Sequence, residues 1–356
     1  MFTQTNRIFR TLNKTNLTLA AAVAAVGLGT ATHAYGAPSD VTSITTHLTT
    51  GSSSVVTGLS GGGTTSDYLP SDTYNIDYAG NDLAITSITT ATGTYSAGPL
   101  ANSVVLNRST TDADTDIVFD QGTVGPTLST LSLQGPQVTS ATQALSGNNV
   151  LIGADNVLNN AGNPNGNNTN IQRVDVLFTG GITASASSIF AIFDRGVSTA
   201  HDGFEIAAIT SMSGGVPTGY GPLLTETTGS WGKTNVVPTE TYSVTRQTGG
   251  TGPFQPSDQT DQAIGGVAIP TTSLASAGTT IYGYSLFATD TTVTGSALAS
   301  VANFPTTTTE TNGGLDLVGT EAVLYTSTSV PEPTTAVVGL FGIAGLLGRR
   351  SKRRLA

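Results

Sequence analysis

The stretch Thr280-Ile281-Tyr282-Gly283-Tyr284-Ser285-Leu286-Phe287 decides the fold class. It is short, rich in β-branched and aromatic side chains, and lacks the three-four apolar spacing of a helix, so it reads as a β-strand. Working outward, runs of the same kind recur at residues 41–48, 83–90, 103–106, 116–119, 149–152, 173–178, 188–193, 204–209, 241–245 and 321–325. Turn-forming clusters separate them, among them Gly61-Gly62-Gly63, Gly162-Asn163-Pro164-Asn165-Gly166 and Gly249-Gly250-Thr251-Gly252-Pro253. No long segment combines helical periodicity with a clear cap. Many short strands joined by polar turns predict an all-β fold: a single β-sandwich of jelly-roll type over residues 35–326. A parallel β-helix is the rival, because such chains also favour Thr, Asn and Gly. That fold needs a repeat of roughly twenty-odd residues, and no regular period is found. Residues 250–262 are expected to form a long surface loop.

Both ends of the chain differ from this body. Arg7, Arg10 and Lys14 precede an apolar stretch from Leu17 to Gly29, followed by the small residues Ala31, Thr32 and Ala34, and no acidic residue occurs before Asp40. This is the layout of a secretory signal peptide over residues 1–34, cleaved after Ala34 or Ala31. An uncleaved signal anchor is the alternative. At the other end, Pro331-Glu332-Pro333 precedes an apolar run of 15 residues, Thr334 to Gly348, and then Arg349-Arg350-Ser351-Lys352-Arg353-Arg354. As a helix the run spans about 22 Å. A hydrocarbon core needs about 30 Å, so flanking residues and snorkelling arginine stems must make up the difference. The basic cluster keeps this end cytoplasmic and places the body outside. The two prolines hold the segment before the run extended, where a processing enzyme can grip it. A glycolipid-anchor signal ends in its hydrophobic tail, which the basic terminus argues against.

Composition narrows the chemistry. Excluding signal and tail, the body keeps 5 basic and 22 acidic residues, a charge of −17. Such a body is repelled by nucleic acid and by anionic lipid, and is suited to solubility outside the cell. There is no cysteine, which excludes disulfides, thiolate metal sites and a cysteine nucleophile. Only His47 and His201 remain in the body, so a His-rich zinc site is excluded. No Gly-x-Ser-x-Gly and no phosphate-binding loop occurs.

The tail, with Pro331-Glu332-Pro333, a short glycine-rich apolar helix and a terminal cluster including Arg349 and Arg350, resembles the sorting signal of PEP-CTERM bacterial surface proteins. The match covers residues 330–356 only; with its linker the sorting segment is 327–356, as linker, motif, membrane helix and basic tail. The resemblance implies recognition by an exosortase, a transpeptidase-like membrane enzyme, and release into an extracellular, polysaccharide-rich matrix. Three body segments also look like proteins bearing this tail: Phe190-Ala191-Ile192-Phe193-Asp194-Arg195-Gly196, Ile281 to Phe287, and Gly313-Gly314-Leu315-Asp316-Leu317. That second resemblance implies no activity.

Two acidic groups are the candidates for a site. Asp112, Asp114 and Asp116, with Asp120 beyond, begin like an oxygen-rich calcium loop, but Ile117 stands where the turn glycine is needed and Thr123 where a bidentate Glu would close it. Solvated strand-edge aspartates are the plainer reading, and no cofactor is expected unless calcium binds here. Asp194, Arg195, His201, Asp202 and Glu205 gather within twelve residues and could serve a sugar, a metal or acid–base chemistry. Strand alternation separates Asp202 from Glu205, which favours a structural hairpin. Trp231 is either a sugar platform or core. The expectation is therefore a non-enzymatic surface or matrix protein partnered by an exosortase and by extracellular polysaccharide, held transiently by its membrane helix, with no nucleic-acid partner. The alternatives are a secreted carbohydrate-active enzyme using paired carboxylates and a calcium-dependent, lectin-like module.

Overall fold

A computed structural model of the chain describes residues 36–50, 75–77, 81–108, 116–122, 132–134, 141–158, 171–196, 201–229, 231–246, 254–260, 263–305 and 314–327. The strands are β1 (Ser39–Thr50), β2 (Asn75–Asp77), β3 (Asn81–Thr90), β4 (Gly93–Leu100), β5 (Ser103–Arg108), β6 (Asp116–Gly122), β7 (Ser132–Gln134), β8 (Ile152–Val157), β9 (Ile171–Thr183) and β10 (Ser188–Gly196). They continue with β11 (Phe204–Ser213), β12 (Val216–Tyr220), β13 (Leu224–Glu226), β14 (Pro238–Arg246), β15 (Phe254–Thr260), β16 (Ala263–Pro270), β17 (Thr280–Phe287), β18 (Leu315–Val318) and β19 (Val323–Ser327). Among the described residues, helix is confined to short turns such as Ala141–Leu145 and Thr271–Leu274. The all-β expectation holds. Every strand pairing among the described residues is antiparallel, which removes the parallel β-helix.

One sheet closes on itself. β10 pairs with β16, β16 with β1, β1 with β3, β3 with β4, β4 with β19, and β19 returns to β10. Closure removes the free edges that an open sandwich would leave. Val41, Ile44, Ile85, Ile88, Ile189, Phe193, Val323 and Tyr325 belong to one buried cluster that fills this ring. At β10 the sheet forks. Residues Ser188 to Phe190 pair with β19, whereas Asp194 pairs with Leu317 of β18, which leads on through β8, β6 and β14 to β15.

A second sheet, in the order β12-β11-β17-β9-β5 with β13 also on β11, packs against the ring. Phe190, Ile192, Val267, Ile269 and Leu324 from the ring share a core with Val174, Val176, Ile206, Tyr284 and Leu286 of this sheet. The Phe190 and Tyr284 rings meet with centroids 4.6 Å apart. β10 is thus buried on both faces, with Ile189, Ala191 and Phe193 turned to the ring interior and Phe190 and Ile192 to the second sheet. That is why its sequence is continuously apolar rather than alternating. The far face of the second sheet is covered by the 3-10 turns Gly295–Ala299 and Val301–Asn303, whose Leu298 packs with Phe304 on Leu177, Tyr220 and Phe287.

Gly283, inside the stretch that decides the fold class, marks a register shift between β17 and β9. Its φ is +119°, and a Cβ there would lie 1.9 Å from the carbonyl oxygen of Val176. Only glycine fits.

Three sequence expectations need correction. The surface loop expected at 250–262 contains β15, and Pro256 is tolerated because β15 is the terminal strand of its sheet. The run 149–152 is mostly turn, with Asn149 Oδ1 accepting the Leu151 N–H, and β8 starts only at Ile152. The run 321–325 begins in a turn that places Glu321 before β19. The signal segment 1–34 and the apolar run 334–348 lie outside the described residues. Among the described residues no helix is long and apolar enough to cross a membrane.

Candidate functional site

The expected acidic loop falls at the passage from β10 to β11, and the structure splits it in two. Asp194 is fully buried on β10. Its Oδ1 accepts the Asp316 N–H at 2.7 Å and its Oδ2 accepts the Asp202 N–H at 2.9 Å. The His201 Nδ1 lies 3.4 Å from the same Oδ2. The His201 ring packs on Trp231 at 4.9 Å, and Trp231 meets Phe204 edge-on at 5.8 Å. Beneath the ring lies Gly265, where a Cβ would come within 2.2 Å of His201 Nε2. Trp231 is therefore core, as its 5 % exposure requires. Arg195, also buried, donates to the carbonyls of Leu317 and Ile152, each at 3.0 Å, and of Val150 at 3.3 Å. Buried charges persist when backbone dipoles solvate them. Asp194 and Arg195 here join β8, β10 and β18 rather than face a substrate.

Glu321, which the sequence did not single out, completes this junction. Between Phe190 and Asp194 the strand β10 changes partner, and the backbone there would lose its ladder. The Glu321 Oε1 takes the place of a strand carbonyl and accepts the Phe193 N–H at 2.9 Å. From the second sheet, the Tyr284 hydroxyl donates to the Glu321 main-chain carbonyl at 2.8 Å. Burial pushes the Glu321 carboxyl well above the usual carboxylate range, and the charge of Asp194 adds to the rise.

Glu205 has a different setting. Alternation along β11 sends Phe204, Ile206 and Ala208 to the ring side and Ala207 and Ile209 to the far face. Glu205 falls with the far face, opposite Phe287 on β17 and Thr225 on β13. Its Oε1 accepts the Thr225 hydroxyl at 3.0 Å. Burial raises its carboxyl to about 7, with a further push from Asp290, which is itself raised by burial. Two strands away on this face, Arg173 grips Asp175 bidentately at 2.7 and 3.0 Å and donates to the carbonyls of Leu298 and Ala299, both at 2.8 Å. The Asn107 amide and the Ser285 hydroxyl also donate to Asp175. This network clamps the 3-10 turns onto the sheet, and burial with the Asp175 charge lifts the nearby Tyr220 phenol to about 12.

Asp112 and Asp114 lie outside the described residues, as do Pro331, Glu332, Pro333, Arg349 and Arg350. Asp116 opens β6, opposite Thr245 of β14. Among the described residues no group of three His, Asp or Glu side chains converges on a metal-sized site. Sequence reading missed Glu321 and the Arg173–Asp175 pair. The available signal was an isolated charge within an apolar strand run, which is costly to bury unless the charge has structural work to do. No protein-family model, no curated protein and no solved structure matches the chain.

Proposed function

We propose that the chain is a non-enzymatic surface or extracellular-matrix protein: an all-β body exported by its N-terminal signal, held by its C-terminal helix and processed by an exosortase-type enzyme. The observation that carries this reading is the order of the tail, Pro331-Glu332-Pro333, apolar run, then basic cluster with Arg349 and Arg350. The body's charge of −17 supports residence outside the cell, associated with hydrated polysaccharide or the envelope and not with nucleic acid. The use of Asp194, Arg195 and Glu321 as scaffold supports a structural body. Replacing Pro331, Glu332 and Pro333 together with alanine tests it. Retention of the chain in the membrane fraction is expected, and unchanged release to the matrix would defeat the reading.

One observation favours a second reading. Glu205, raised to about 7 beside Asp290, has the protonation that a general acid of a glycoside hydrolase needs. In a secreted carbohydrate-active enzyme this pair would be the catalytic one. Polysaccharide turnover by the purified chain that disappears in Glu205→Gln would establish that reading over the structural one.

A further inference from the structure

We propose that Glu205 and Asp290 form a binding site for one divalent cation of the calcium class, on the far face of the second sheet. The inference stands independently of the sorting reading. It starts from two carboxylate oxygens, Glu205 Oε2 and Asp290 Oδ1, which are buried and have no hydrogen-bond partner. Glu205 is only 6 % exposed, so its second oxygen has little access to bulk water. Buried polar atoms in native proteins are nearly always paired, and a carboxylate oxygen without a donor is what a hard cation takes.

The local packing brings together the segments that carry the two acids, and the Asp290 charge acts on Glu205. Gly203 stands two residues before Glu205, at the entry to β11. A Cβ on Gly203 would come within 2.9 Å of the Thr289 methyl and of the Thr228 nitrogen, and within 3.0 Å of the Glu226 carbonyl oxygen. The turn after β17, which carries Asp290, and the segment after β13 therefore both close on the start of β11. Thr225 adds a hydroxyl oxygen, already 3.0 Å from Glu205 Oε1. The assembled donors are all oxygens, which suits calcium and not a soft metal.

Charge balance points the same way. Across the face the register runs Thr225, Glu205, Phe287, Arg173. Phe287 stands between Glu205 and Arg173, and Arg173 is committed to Asp175 and to two carbonyls. Both carboxyls are raised by burial and the Asp290 charge pushes Glu205 further, so ionising both without a countercharge is costly. A divalent ion removes that cost; at lower pH a proton does the same. With two carboxylates the site belongs with weak extracellular calcium sites, whose dissociation constants are about 0.1–1 mM.

The test is calcium titration of the full-length chain at pH 8.0, followed by thermal unfolding and by calorimetry. Three proteins are compared: the unaltered chain, Glu205→Gln, and a triple variant Asp112→Asn, Asp114→Asn and Asp116→Asn that removes the other acidic cluster. At 10 mM calcium the unaltered chain and the triple variant should gain about 2–4 °C in Tm, and Glu205→Gln should gain nothing. At pH 5.5 the calcium effect on the unaltered chain should shrink, because protons compete. No gain in the unaltered chain, or an equal gain in Glu205→Gln, overturns the proposal, as does a gain lost only in the triple variant. If Glu205→Gln fails to fold, Asp290→Asn, at a partly exposed position, carries the same comparison.

Discussion

Glu321 is the residue whose replacement most sharply tests how this fold is held together. Glu321→Ala removes the acceptor of the Phe193 N–H at a site where water does not reach. Leaving a buried donor unpaired costs about 1–3 kcal/mol. The cavity left by the missing side chain adds about 1–2 kcal/mol. A total of about 2–5 kcal/mol lowers Tm by roughly 5–10 °C in a domain of this size. Glu321→Gln separates the hydrogen bond from the charge. Gln keeps the shape and the oxygen that accepts the Phe193 N–H, but its NH2 takes the place of an Oε2 that has no hydrogen-bond partner, so it should cost about 1–3 kcal/mol and still less than Ala. The pH dependence follows from the raised Glu321 carboxyl. A carboxyl raised in the folded state binds its proton more tightly than in the unfolded chain, where it titrates near 4.5. Its contribution is thus complete below about pH 4.5 and is lost as pH rises toward the folded-state value. Thermal unfolding by circular dichroism at pH 5 and pH 8 measures all of this. An Ala variant as stable as the unaltered chain, or a Gln variant as damaged as Ala, would refute the role assigned to the carboxyl at the fork.

The remaining predictions concern the second sheet and the His201 cluster. Glu205→Gln should flatten the fall in stability between pH 4.5 and 7 and raise Tm at pH 8 in chelator; an unchanged pH profile would show that Glu205 titrates normally. Arg173→Met strands Asp175 and frees the carbonyls of Leu298 and Ala299, so it should cost about 3–5 kcal/mol. Hydrogen exchange over residues 295–304 should accelerate in that variant, and unaltered protection there would count against the clamp. Gly265→Ala should displace the His201 ring and cost about 1–3 kcal/mol. The chain has a single tryptophan, so the fluorescence of Trp231 reports that displacement directly, and an unshifted spectrum would contradict the packing.

The fold class was legible because strand periodicity is local. The runs at 173–178, 188–193, 204–209 and 280–287 all became strands. Closure of the ring was not legible, because it depends on β19 meeting both β4 and β10, pairings that no local pattern records. The second sheet's β12 and β13 were missed for a related reason: Val216–Tyr220 and Leu224–Glu226 are short and polar, and they pair because β11 offers them an edge. The acidic loop was visible as a cluster in sequence, yet its members serve separate ends. Asp194 bonds backbone from both sides, whereas Glu205 faces a turn that begins more than eighty residues later. Glu321 was not singled out, because only the fork in β10 gives its carboxyl a partner.

The measurement closest to the central claim is the intact mass of the chain recovered from the cell surface or matrix. The sorting account predicts a species that lacks the signal segment and no longer carries Arg349 to Ala356 as an unmodified terminus. A surface form whose mass retains that basic tail unaltered would contradict it.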